Sequence, residues 1–94
     1  MGFRRVAPQV FHHTDGYSVQ VGSRTTMEYI EGSRKAVVEV EFGIGSTCIY
    51  VRRIVGWISG TQRLPMTDEE RRIVVEKISE ALRLDGSSVE TSTH

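Results

Sequence analysis

From Tyr17 onward the chain alternates. Tyr17, Val19 and Val21 are apolar while Ser18 and Gln20 are polar, a period of two that predicts a strand. Gly22-Ser23-Arg24 reads as a turn. Residues 25–31 predict a second strand with Met27 and Tyr29 on one face. Gly32-Ser33 is a two-residue hairpin loop with glycine first, the type II′ signature, and residues 34–42 predict a third strand. After the loop Gly43-Ile44-Gly45-Ser46, residues 47–57, TCIYVRRIVGW, predict a fourth strand.

The Gly32-Ser33 turn fixes a register. If Glu31 pairs with Arg34, then Tyr29 faces Ala36, Met27 faces Val38 and Thr25 faces Val40, all on one side with Phe42 continuing the row. The other side then carries Thr26, Glu28, Ile30, Lys35, Val37, Glu39 and Glu41. A slip by one residue would bury these charges, so the register is well specified. The first hairpin favours a three-residue loop, placing Val19 opposite Met27 and Tyr17 opposite Tyr29. In the last hairpin Ile49 should pair with Val40 and Val51 with Val38. Arg53 would then point inward unless the strand bulges or bends near Arg52-Arg53.

The pattern changes period at LPMTDEERRIVVEKISEALRLDG, residues 64–86. Val74, Val75, Ile78, Ala81 and Leu82 recur at helical spacing. Thr67 and Glu70 have capping-box spacing, and Met66 stands where a hydrophobic staple begins. Asp68, Glu69 and Glu70 suit the positive end of the helix dipole. Arg83 falls in the last turn and Gly86 marks the stop. One face of this helix must be buried, and the apolar side of the sheet is available to cover it. The expected architecture is therefore α+β, an antiparallel meander of about four strands with one C-terminal amphipathic helix packed on one face. Residues 17–86 form this single domain. Residues 1–16, with Phe3, Val6, Val10 and Phe11 interrupted by Pro8, can supply an added edge strand. Residues 87–94, SSVETSTH, are polar and without period, and are expected to be a disordered tail.

Composition narrows function by exclusion. With 94 residues, 38% hydrophobic and 26% charged, the chain has room for one core. Net charge is zero, split into +3 over residues 1–66 and −3 over residues 67–94. That is a small dipole and not the footprint of a nucleic-acid binder. No apolar run is long enough to span a membrane. A single cysteine, Cys48, excludes an internal disulfide and suits a cytoplasmic, reducing compartment.

Candidate chemistry is sparse. His12-His13 with Asp15 invites a metal, but adjacent residues on an extended chain point to opposite sides. A surface or loop pair is the expectation, and no cofactor is. Cys48 with either histidine could make a small metal- or thiol-dependent enzyme, yet its expected neighbour Glu41 would suppress a thiolate. Gly43-Ile44-Gly45-Ser46 lacks the lysine and helix of a phosphate loop. Trp57 is expected in the core against the helix, its indole N–H on a carbonyl. The outward sheet face is the notable surface. Glu28, Glu39 and Glu41 stand on adjacent strands with Tyr50, Lys35 and Arg52 near, and Arg52 is expected to answer Glu39. Such a face is either merely solvated or a protein-binding surface.

YIEGSRKAVVEVEF, IYVRRIVGW and LPMTDEERRIVVEKISEAL together resemble the small immunity proteins of bacterial polymorphic toxin systems, over roughly residues 17–84. The resemblance implies a protein without catalysis that binds and neutralises a cognate toxin. It also suggests an acidic patch that occludes a basic toxin site, for which Glu28, Glu39 and Glu41 are the candidates, with Tyr50 and Arg52 beside them. Monomer or weak homodimer is expected. A self-associating structural subunit, joined through an open sheet edge, is a separate possibility from the residues alone.

Overall fold

The computed structural model describes residues 3–7, 10–13, 15–54 and 56–93 of the chain. Pro8 and His94, which entered the expectations above, lie outside the described residues.

The helix forms as its sequence predicts. α1 spans Asp68–Leu84 with Thr67 as N-cap. The Thr67 hydroxyl accepts from the Glu70 backbone N–H at 3.0 Å, and the Glu70 carboxylate accepts from the Thr67 N–H at 2.9 Å. These two bonds satisfy donors that the first turn leaves without helical partners. At the other end Gly86 takes a left-handed φ of 87°. The Ser87 N–H then reaches the Leu82 carbonyl at 2.9 Å and the Gly86 N–H that of Arg83 at 3.0 Å. This is a Schellman stop, and it turns the chain back toward the sheet.

The strands are β1 (Phe3–Ala7), β2 (Val10–His13), β3 (Tyr17–Ser23), β4 (Thr26–Glu31), β5 (Arg34–Gly43), β6 (Ser46–Tyr50), β7 (Trp57–Ser59), β8 (Gln62–Leu64) and β9 (Ser88–Ser92). The fold is α+β, but its sheet has nine strands among the described residues, where about four were expected. The N-terminal segment supplies two of them, and β1 stands at the edge.

The β4–β5 hairpin has the expected register, Glu31 with Arg34, Tyr29 with Ala36 and Met27 with Val38. Gly32 enters its turn at φ 61°. The β3–β4 hairpin does not follow its expected register. Val19 pairs with Tyr29 and Val21 with Met27, and the register shifts between Val21 and Ser23. A bulge at Gly22 adds one residue and so restores the parity that a short loop would have inverted. Both registers put the same side chains on the core face, which is why the hydrophobic pattern alone could not separate them.

The predicted fourth strand is broken. Val40 pairs with Ile49 and Glu41 with Cys48 as expected, but β6 ends at Tyr50. Val51–Arg53 form a single 3-10 turn, so Val51 does not extend the ladder toward Val38. The turn resolves the problem of Arg53, which is exposed instead of buried. The chain then rejoins the sheet at the opposite end of β5, where Lys35 pairs with Ile58 and Arg34 with Ser59. Residues 58–61 stay with the sheet. They turn β7 into β8, with Trp57 opposite Leu64. Along one edge, β5 thus serves β7 first and β6 afterwards.

The tail is not a free end up to Ser92. β9 runs parallel to β6, pairing Ser46 with Ser88 through Tyr50 with Ser92. Ser88 N–H also bonds the Gly45 carbonyl at 2.9 Å. Its polar side chains gave no sign of this because backbone pairing holds it, and Val89 alone packs on the core.

The core lies between the sheet and α1. Tyr17, Val19, Met27, Tyr29, Ala36, Val38, Val40 and Ile49 are buried there, and Val74, Ile78, Ala81 and Leu82 meet them from the helix. Burial of each large aliphatic side chain contributes about 1.5–3 kcal/mol. Phe42, expected to continue the row, is instead 39% exposed near the turn of the β5–β6 hairpin, although its partner Thr47 is buried. Phe11, Ile54 and Met66 complete the core.

Candidate functional site

At the hairpin end of β4 and β5 the core face carries charge. The Tyr29 hydroxyl donates to Glu31 at 2.9 Å, and Arg34 donates to Glu31 at 2.7 Å. Arg34 also lies 3.6 Å from Glu70 on the helix and stacks 3.9 Å from the Trp57 ring. Trp57 is in the core as expected, yet its indole N–H makes no full hydrogen bond to a carbonyl. It stands near Glu70 and helps to stabilise that carboxylate. These groups clamp the start of the helix to the sheet, and their role is structural.

The clamp gives stability a sign with pH. Arg34 holds the Glu31 carboxyl below its ordinary value of 4.5, against the opposing effect of burial. The Thr67 backbone N–H likewise lowers Glu70. A carboxyl depressed in the folded state stabilises fully above its unfolded value and loses that contribution as pH falls through the folded one. Urea midpoints should therefore fall below pH 4.5, and Glu31→Gln should show a shallower fall than the parent protein. Equal slopes in the two would remove Glu31 from this account.

The opposite face of the sheet has no helix over it. Sequence reasoning placed Glu28, Glu39 and Glu41 there as an acidic patch, and the strand pairing does set all three on it. Each acid, however, is engaged within the chain. Glu28 accepts from Gln20 at 2.7 Å and from Lys35 at 3.3 Å. Glu41 accepts from the Tyr50 hydroxyl at 3.0 Å, a bond that raises the phenol pKa. Glu39 accepts from Arg53 at 2.9 Å, and Arg53 lies 4.4 Å from the Tyr50 ring. Arg53 therefore fills the part expected of Arg52. The 3-10 turn swings Arg53 outward over β5, whereas Arg52 is exposed and makes no ion pair among the described residues. Glu39, Glu41 and Tyr50 come together, and Arg52 stands apart from their bonds.

The break between β6 and β7 opens a cleft on this face. It holds about 500 Å³, and Val37, Ile58, Leu64 and Pro65 supply apolar walls. Trp57 and Gly56 reach it from below, and Glu39, Arg53 and Arg63 stand around it. Two shallower depressions adjoin it. One shares Glu39 and Arg53 and extends to Arg24, Glu41 and Tyr50. The other shares Ile58 and extends to Ile30, Lys35 and Gly60. Together they form a trough along β5. The sequence held one clue to it, apolar Ile30 and Val37 at outward positions. It did not show the interruption of the strand that leaves room above them.

The remaining candidates are dispersed. His13 stacks on Tyr17 at 4.4 Å and accepts from the Asp15 N–H at 3.0 Å, while His12 is exposed. Cys48 lies on β6, with β3, β4 and β5 between it and both histidines. No group of three or more potential metal-ligating side chains gathers among the described residues. No helix among them is long and apolar enough to cross a membrane. No known protein family, curated protein or solved structure matches this chain.

Proposed function

We propose that this chain is a protein-binding module of the immunity type, working through the sheet face that α1 leaves uncovered. One observation carries the reading: the uncovered face is indented beside β5 from Lys35 to Glu41, and its walls combine apolar side chains with charged ones. A central apolar recess inside a polar rim is the usual anatomy of a protein-binding surface. Glu39, Glu41 and Tyr50 form one side of that rim, with Glu28 farther along and Arg52 at its margin. On this reading the domain holds a cognate toxin and performs no chemistry itself.

Toxins encoded beside its gene are the partners to test. The parent protein should capture one of them, and Glu39→Ala/Tyr50→Ala should lose most of that capture. The double variant breaks the Arg53 and Tyr50 contacts at the rim while leaving the core intact. Undiminished capture would move the surface elsewhere, and failure to capture any neighbouring toxin would remove the immunity reading.

A further inference from the structure

We infer that the trough along β5 receives an extended peptide segment of the partner, one that places an apolar side chain in the central cleft and an acidic residue beside it on Arg63. The inference deepens the protein-binding reading above and rests on it.

Shape argues for an extended occupant. The three depressions follow the outward positions of β5 from Lys35 to Glu41. At about 3.3 Å per residue, those positions run for roughly 20 Å. That length matches six or so residues of extended chain, and a compact small molecule would fill only the middle. The central recess has Val37, Ile58, Leu64 and Pro65 as its apolar lining, which suits an aliphatic or aromatic anchor.

Charge argues for an acidic neighbour to that anchor. Of the three glutamates, Glu28 and Glu39 pair with Lys35 and Arg53 within the chain, while Glu41, at the far end of the trough from Lys35, accepts from the Tyr50 hydroxyl. A basic segment would meet Lys35 and Arg53 along the trough. Arg63 differs. It lines the cleft from β8, it is exposed, and no ion pair engages it among the described residues. A guanidinium beside an apolar recess favours a carboxylate next to an apolar side chain. The polarity is therefore the reverse of an acidic patch covering a basic site.

Panning a phage-displayed library of random peptides on the immobilised full chain tests this directly. Enriched peptides should pair Leu, Phe or Trp with an adjacent Asp or Glu. Synthetic copies followed by fluorescence anisotropy should bind Arg63→Glu at least about tenfold more weakly, the factor that 1.4 kcal/mol represents. Leu64→Ser should weaken them too, and Arg83→Glu, on the helix, should not. Circular dichroism would verify that each variant is folded. Peptides that need the cleft but carry Lys or Arg would overturn the inference and leave the protein-binding reading standing. Peptides that ignore Arg63→Glu and Leu64→Ser, or no enrichment at all, would overturn the inference, while toxin capture decides the broader reading separately. A concentration-dependent dimer that Arg63→Glu dissolves would make a second copy the occupant and equally overturn it.

Discussion

Trp57→Ala is expected to remove about 3–5 kcal/mol of unfolding free energy, the range for large aromatic truncations in a core. The domain as a whole is stabilised by only about 5–15 kcal/mol, so the variant should sit near its folding threshold. The size of the effect follows from where the ring lies. Trp57 is 3% exposed, its ring centroid is 6.0 Å from that of Tyr29, and Arg34 covers one face. It begins β7, so the cavity would open beneath the strand that rejoins β5. Trp57 is the sole tryptophan, so far-UV circular dichroism in urea is the appropriate probe. Trp57→Phe, which keeps a ring in place, should lose clearly less. A loss under about 1 kcal/mol for the alanine variant would show that the site collapses without cost, contrary to this packing.

Gly56→Ala should also destabilise, by about 1–3 kcal/mol, for a steric reason. A Cβ built on Gly56 would stand 2.5 Å from the Leu64 carbonyl oxygen, a backbone atom that cannot rotate aside. Alanine in place of glycine ordinarily stabilises by about 0.4–1 kcal/mol through the unfolded chain, and the clash has to outweigh that gain. Relief would require β8 to move away from the 56–57 backbone, which would widen the cleft. The variant should therefore show a lower urea midpoint together with altered peptide binding. An unchanged or raised midpoint would mean that β8 shifts freely.

Sequence made the local parts of this fold legible and hid those set by distant contacts. The Thr67–Glu70 box and the Gly32-Ser33 turn are complete within a few residues, and both have the expected geometry. The bulge at Gly22 was hidden because either register keeps Val19 and Val21 inward. The break after Tyr50 was hidden because TCIYVRRIVGW alternates well enough to read as one strand. Only the competition between β6 and β7 for the edge of β5 reveals it. The candidate site divided in the same way. Glu39, Glu41 and Tyr50 stand together because strand pairing was readable. Arg53 replaced Arg52, and the Val37–Ile58–Leu64 recess went unseen, because both depend on the 3-10 turn.

The parallel pairing of β9 with β6 also constrains the order of assembly. Between these partners in the chain lie the 3-10 turn, β7, β8 and the whole of α1. Closing so long a loop is entropically costly, and a polar strand offers little apolar burial in return before the helix is seated. Docking of α1 brings Ser87 beside Thr47 at 3.2 Å and delivers the following residues to the edge of β6. β9 is therefore expected to form after the layers have met. Its backbone amides register whether the helix is in place, and they should be among the first to exchange with solvent when it lifts.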